Sequence, residues 1–324
     1  VGRLLDETQR PNGLRIRRVS VPIGVIFMIY ESRPNVTIDA AALTLKSGNA
    51  VILRGGKEAI RTNAALADIM RDALESAGLP ADAVQLTPTV DRAILPILLK
   101  SHEAIDLAIP RGGEGLIRAV VSESTIPVIK HYKGICHIYV DADADIETAA
   151  RVIVNAKAQR PGVCNALETL LVHQDIAARA LPSVGQALAD AGVEIRGDER
   201  VRAILPSAVA ATEEDWRTEY LDLILAIRVV DDMTAALDHI ETYGSRHTDA
   251  IISNDPASLE RFRREVDSAC VHINTTTRFS DGFEYGLGAE IGISTDKLHA
   301  RGPMGLRELT SYKYIVDGEG QIRE

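Results

Sequence analysis

A chain of 324 residues is too long for one small core and predicts two or more domains. Its net charge of −10 counts against a nucleic-acid partner, because phosphate binding needs clustered positive charge, and no run of 18 apolar residues offers a membrane span. Aromatic residues make up only 4%, so the core is aliphatic, and three cysteines without disulfide spacing suit free thiols in a reducing, cytoplasmic setting.

The chain opens on Val1 rather than on methionine, and a strand-like run follows almost at once, which suggests a missing N-terminal part. An apolar strand over 25–30 leads through the polar run Glu31-Ser32-Arg33-Pro34-Asn35-Val36-Thr37 to an apolar helix over 38–45. Residues 50–53 read as a buried strand. Leu66, Ile69, Met70, Ala73, Leu74 and Ala77 then repeat at helical spacing until Gly78 and Pro80 end the helix. Strands over 84–86, 105–109 and 126–129 alternate with helices over 92–100 and 114–122. This rhythm predicts a mostly parallel sheet covered by helices. A second α/β block begins with a strand over 136–140. It continues with a helical stripe at Ile146, Ala149, Ala150 and Ile153, a Pro-Gly loop, a strand over 169–173 and a helix over 175–191. Further strands fall near 223–230, 250–253 and 270–274. The runs 14–21 and 311–316 look like lone strands flanked by charge, which usually pair with something remote, often another subunit.

Several chemistries are absent. There is no G-x-G-x-x-G after a strand, no phosphate-binding G-x-x-x-x-G-K-[ST], and no G-x-S-x-G elbow. Asp141, Asp143 and Asp145 imitate the start of a calcium loop, but Ile146 and Val152 stand where its Gly and closing Glu belong, so helix capping is the better reading. The eight histidines show no metal-ligand spacing, and no metal is expected.

Cys136 and Cys270 lie inside strand runs and read as small core residues. Cys164 sits in a Pro-Gly loop with Arg160 nearby in sequence; a loop cysteine beside a cation can be a thiolate nucleophile. Two glycine turns, Arg54-Gly55-Gly56-Lys57 and Arg111-Gly112-Gly113, follow strands and carry cations. They suit a phosphorylated cofactor, although tight βα turns with solvated charges explain each of them alone. Asn274 to Gly282 is a long hydroxyl-rich loop with Ser280 and Arg278, the latter able to grip a carboxylate or merely to face solvent.

Taken in order, Val21-Pro22-Ile23-Gly24-Val25, Glu31-Ser32-Arg33-Pro34-Asn35-Val36, Lys130-His131-Tyr132-Lys133-Gly134-Ile135-Cys136-His137, Gln159-Arg160-Pro161-Gly162-Val163-Cys164-Asn165 and Arg301-Gly302-Pro303-Met304-Gly305 resemble the glutamyl phosphate reductases of the aldehyde dehydrogenase superfamily. The resemblance spans essentially the whole chain. It implies an α/β, aldehyde dehydrogenase-like fold in three parts: a Rossmann-like cofactor domain over 22–132, an α/β catalytic domain over 133–307, and a small β oligomerisation extension formed by 1–21 and 308–324. Relatives carry a further N-terminal helical region of the cofactor domain.

The resemblance also implies a reaction: NADPH-dependent reduction of L-glutamyl 5-phosphate to glutamate 5-semialdehyde, in proline biosynthesis. The expected site has Cys164 as nucleophile and Asn35 with the Cys164 backbone N–H as oxyanion donors; Arg33 is an alternative to Asn35. Arg160, Arg278 and Ser280 are expected at the substrate, and Arg54, Gly55, Lys57, Gly112, Gly113 and Glu219 at NADP. His131-Tyr132-Lys133 stands where hydrolytic relatives place a general-base Glu before Gly134, so water is not expected to cleave the thioester. The rival readings are an acylating or oxidising aldehyde dehydrogenase and an inactive oligomerising module. A homo-oligomer is expected.

Overall fold

The computed structural model describes residues 1–323, in two units: 1–130 with 286–323, and 131–285. Residues 286–307 therefore belong with the first unit.

The first unit is organised by a four-stranded parallel sheet. β1 (Leu4–Gln9) and β2 (Arg15–Pro22) precede β3 (Val25–Tyr30), α1 (Asn35–Lys46), β4 (Ala50–Arg54), α2 (Ile60–Ser76), β5 (Val84–Leu86), α3 (Ile94–Leu98), β6 (Leu107–Arg111) and α4 (Glu114–Glu123). The sheet runs β5-β4-β3-β6. Alternation along β3 explains why it is central. Ile26, Met28 and Tyr30 enter one aliphatic core with Ala40 and Leu53, while Phe27 and Ile29 enter another with Leu99 and Val120. The expected strand over 126–129 reduces to a single bridge, Ala108 to Val128, because Pro127 has no N–H for a ladder.

The second unit is a seven-stranded parallel sheet. Its elements are β7 (Cys136–Val140), α5 (Ile146–Ala158), β8 (Leu167–His173), α6 (Gln174–Asp190), β9 (Glu194–Gly197), α7 (Glu199–Ile204), β10 (Val209–Ala210), β11 (Ile224–Val230), α8 (Met233–Tyr243), β12 (Thr248–Ile252), α9 (Pro256–Glu265) and β13 (Cys270–Ile273). The order is β10-β9-β11-β8-β7-β12-β13. Asp145 caps α5 by accepting from Thr148 N at 2.8 Å, as the capping reading required.

The chain then returns to the first unit through β14 (Gly292–Ser294), β15 (Gly302–Met304) and β16 (Thr310–Asp317). β16 pairs antiparallel with β2, and β2 with β1, so the expected two lone strands form a three-stranded sheet. Arg17 holds Asp317 at 2.9 Å across it. Its edge strands β1 and β16 remain largely exposed, with Tyr312, Tyr314 and Val316 projecting on one face.

Candidate active site

In the second unit the loop 159–166 carries Cys164, half-buried, between the end of α5 and the start of β8. An ion pair closes the base of this loop: Lys157 Nζ lies 2.6 Å from Glu168 Oε2, and both side chains are fully buried. Burial raises the Glu168 carboxyl to about 7 and lowers Lys157, each against the pull of its partner. Gly134, just before β7, presses on the loop from beneath; a Cβ there would lie 1.9 Å from the Cys164 carbonyl oxygen. Only glycine permits this backbone contact. The Gly134 N–H donates to Glu219 Oε1 at 2.9 Å, so the expected cofactor residue Glu219 reaches the strip beside the nucleophile.

Loop 274–282 is tied to the same place. Asn165 Nδ2 donates to the Ser280 carbonyl at 2.9 Å, and Thr277 Oγ1 donates to the Asn165 carbonyl at 2.7 Å. Arg278 is half-buried, with its Nε on Gln159 Oε1 at 2.8 Å. Burial and then the neighbouring Arg160 lower the Arg278 guanidinium. Arg160, Cys164 and Arg278 are thus brought together. Ser280 lies with them but is completely buried, its hydroxyl accepting from Thr248 at 2.8 Å and 3.2 Å from His272 Nε2.

Of the other thiols, burial pushes Cys136 well up, and its Sγ donates to the Cys164 carbonyl at 3.3 Å. Cys270 is also buried. Two histidines to which the sequence reading gave no role at the site stand beside the nucleophile: ligand atoms of His131, Cys164 and His247 lie within 4.8 Å of one another. Burial, then His131 and His272, hold His247 down at about 3, so that ring is neutral. The three residues come from separate loops, and no local spacing announces them.

The first unit holds its own pocket of about 730 Å³, at the carboxyl ends of its strands. The chain runs from β3 outward to β4 and β5, then crosses to β6 on the other flank of β3, which makes this the topological switch point where open α/β sheets bind ligands. Arg33, Arg54, Lys57 and Arg92 line the pocket with Glu31 and Glu58. Arg54 is buried; its Nη2 donates to the Val90 carbonyl at 2.8 Å, and its Nε has no hydrogen-bond partner among the described residues. Burial, and then Arg92, lower its guanidinium. Gly55 is required by the close side chains of Asn63 and Tyr30. Gly112 is packed on the Glu31 carboxylate, which accepts from Gly113 N at 3.0 Å, so an anion already sits at the N-terminus of α4. Arg92 was not read from the sequence, where it stands alone between loop and helix. Asn35 opens α1, exposed, with its Nδ2 on Asp39 Oδ2 at 3.0 Å.

A parallel α/β fold with a loop thiol and a cation-lined pocket at a sheet switch point describes the aldehyde dehydrogenase class, and the aldehyde dehydrogenase family profile matches residues 3–202. A gamma-glutamyl phosphate reductase of Moorella thermoacetica is 57% identical over 324 residues, covering all of this chain and 78% of that protein. The crystal structure of gamma-glutamyl phosphate reductase from Thermotoga maritima superposes with a TM-score of 0.98 at 49% identity, covering 100% of this chain and 78% of that one. An acetylating aldehyde dehydrogenase from Geobacillus thermoglucosidasius matches at a TM-score of 0.72 and 19% identity, over 100% of this chain and 81% of that one, and speaks to the fold alone. The chain belongs to the aldehyde dehydrogenase family and, within it, to the gamma-glutamyl phosphate reductases; it is an oxidoreductase.

Proposed function

We propose that this chain reduces L-glutamyl 5-phosphate to L-glutamate 5-semialdehyde and phosphate with NADPH, as a cytoplasmic step of proline biosynthesis, through a thioacyl intermediate on Cys164. One observation carries the reading: two guanidiniums, Arg160 and Arg278, stand close together beside a half-buried loop thiol, with Arg278 anchored on Gln159. Such a pair is stabilised by an anionic substrate, which an acyl phosphate with an α-carboxylate is. Ser280, being buried, supports loop 274–282 rather than touching substrate.

In this mechanism Cys164 Sγ attacks the acyl carbon, the bond to the phosphate oxygen breaks, and phosphate departs with its electron pair. The Cys164 N–H and Asn35 are the proposed donors to the developing oxyanion. NADPH, when bound, would supply the hydride for the thioester carbon. The thiohemiacetal on Cys164 then collapses, the C–S bond breaks, and the thiolate is restored. The segment 131–133 carries no carboxylate, the group that hydrolytic relatives place there to turn water onto the thioester.

The pocket in the first unit fits the phosphorylated end of such a cofactor. Arg54 keeps a buried donor without a partner, and Arg92 and Lys57 add positive charge beside it. We assign the cofactor 2′-phosphate to this trio. We assign catalysis to the unit of 131–285, cofactor binding to 22–130 in the unit that 286–307 rejoin, and homo-oligomerisation to the extension of 1–21 and 308–324.

Acceptor choice tests the reading. With glutamate 5-semialdehyde and NADP⁺, the reverse reaction should proceed with inorganic phosphate and not with coenzyme A or water alone. Turnover with coenzyme A in place of phosphate would make the chain an acylating dehydrogenase of another kind.

A further inference from the structure

We infer that Cys164, His131 and His247 form a capture site for a borderline-soft divalent cation, Zn²⁺ in particular, that reversibly silences the thiol. One ligand atom from each residue lies within 4.8 Å of the other two. A thiolate with two imidazoles is a donor set that zinc accepts, leaving a fourth position for water. Bonds of about 2.0–2.1 Å to nitrogen and about 2.3 Å to sulfur require only that the three side chains draw in slightly.

An independent observation points to a ligand. His247 is completely buried, yet its Nε2 has no hydrogen-bond partner among the described residues. Orphaned buried nitrogens are rare and call for an occupant. The other nitrogen, Nδ1, is held 2.9 Å from Thr248 Oγ1, the anchoring that metal-binding histidines commonly show. The His131 ring stands edge-on to the His247 ring at 5.4 Å. His131 and Cys164 are half-buried, which gives an ion an entry path. Binding exchanges the Cys164 thiol proton for the metal and removes the sulfur lone pair that any substrate would meet. The inference rests on the cluster alone and not on which acyl group the chain handles.

The test uses the full chain, freed of metal by a chelator that is then removed. One equivalent of zinc chloride should slow iodoacetamide labelling of Cys164 at least tenfold, read by peptide mapping, and EDTA should restore the rate. Cobalt(II) in place of zinc should give a thiolate-to-metal charge-transfer band that Cys164→Ser abolishes. Because even supporting residues of metal sites contribute about 10–100-fold in affinity, His131→Gln and His247→Gln should each raise the zinc needed by about 100-fold. Labelling of the wild type that zinc does not slow, or that zinc slows in both histidine variants at the same concentration as in the wild type, would overturn the site and mark zinc as an adventitious thiol ligand. Should His247→Gln fail to fold, His131→Gln decides, since that ring is only half-buried.

Discussion

At Gly134 a single methyl group separates a working site from a displaced one. An added Cβ would sit 1.9 Å from a backbone oxygen, so Gly134→Ala must move either its own strand or the Cys164 loop. The variant should label more slowly with iodoacetamide and lose turnover while remaining folded by circular dichroism. At Arg54, each charge-assisted hydrogen bond contributes about 1.5–3 kcal/mol, so Arg54→Ala should weaken NADPH binding by about 10–100-fold and NADH binding much less. Equal losses in titrations of the two cofactors would remove Arg54 and its neighbours from 2′-phosphate recognition. Proton linkage gives a third expectation. His247 is held at about 3 in the folded chain against its usual 6.5, so between those values the unfolded state binds the extra proton. Its contribution is therefore present above pH 6.5 and is lost as pH falls toward 3. One such histidine costs about 2 kcal/mol between pH 7 and pH 5. His239 and His272 are lowered by burial too, so denaturant titrations should show a drop at least that large, and His247→Gln should reduce it by about 2 kcal/mol.

Among the elements, the Lys157–Glu168 pair decides how firmly the nucleophile loop is held. It joins the last turn of α5 to β8 across the loop, and neither group reaches water. Removing one partner of such a pair typically costs about 3–5 kcal/mol, whereas replacing both with apolar residues can be nearly neutral. Lys157→Met should therefore destabilise strongly, and adding Glu168→Met should recover most of the loss, as measured by urea denaturation. Glu168, raised to about 7, works in the opposite sense to His247, favouring the folded state below its ordinary value and losing that advantage as pH rises toward 7. The elements that the sequence made legible are those with uninterrupted apolar periodicity, such as β3, β7, α2 and α6. β1 was given no bounds because Leu-Leu-Asp-Glu-Thr-Gln is polar and lies fully exposed, with β2 as its partner. β9, β10 and α7 are too short, at 4, 2 and 6 residues, to develop a period.

For the whole molecule, family and fold were legible because long motifs recur in order from one end of the chain to the other. The detailed site was only partly so. Open α/β sheets direct attention to the carboxyl ends of their strands, and the pocket of the first unit obeys that rule. The Cys164 cluster does not: Gly134 precedes β7, Cys164 precedes β8, Glu219 precedes β11 and His247 precedes β12, so it forms at the amino ends. His131 and His247 join Cys164 only through that topology. The three-stranded extension makes a claim on the same scale. The proposed homo-oligomerisation rests on an exposed sheet with an aromatic face and open edges, which a second copy in a twofold contact would cover. Tyr312→Ser with Tyr314→Ser should shift sedimentation from dimer toward monomer with the fold retained. An unaltered chain that sediments as a monomer at micromolar concentration would refute the assembly claim and leave the catalytic one standing. The catalytic claim is met most directly by trapping the acyl-enzyme. Wild-type chain given glutamate 5-semialdehyde and NADP⁺ without phosphate should accumulate a glutamyl thioester on the Cys164 peptide, and added phosphate should discharge it. A chain that turns over with phosphate yet carries no adduct on Cys164, or that stays active as Cys164→Ala, would contradict the account.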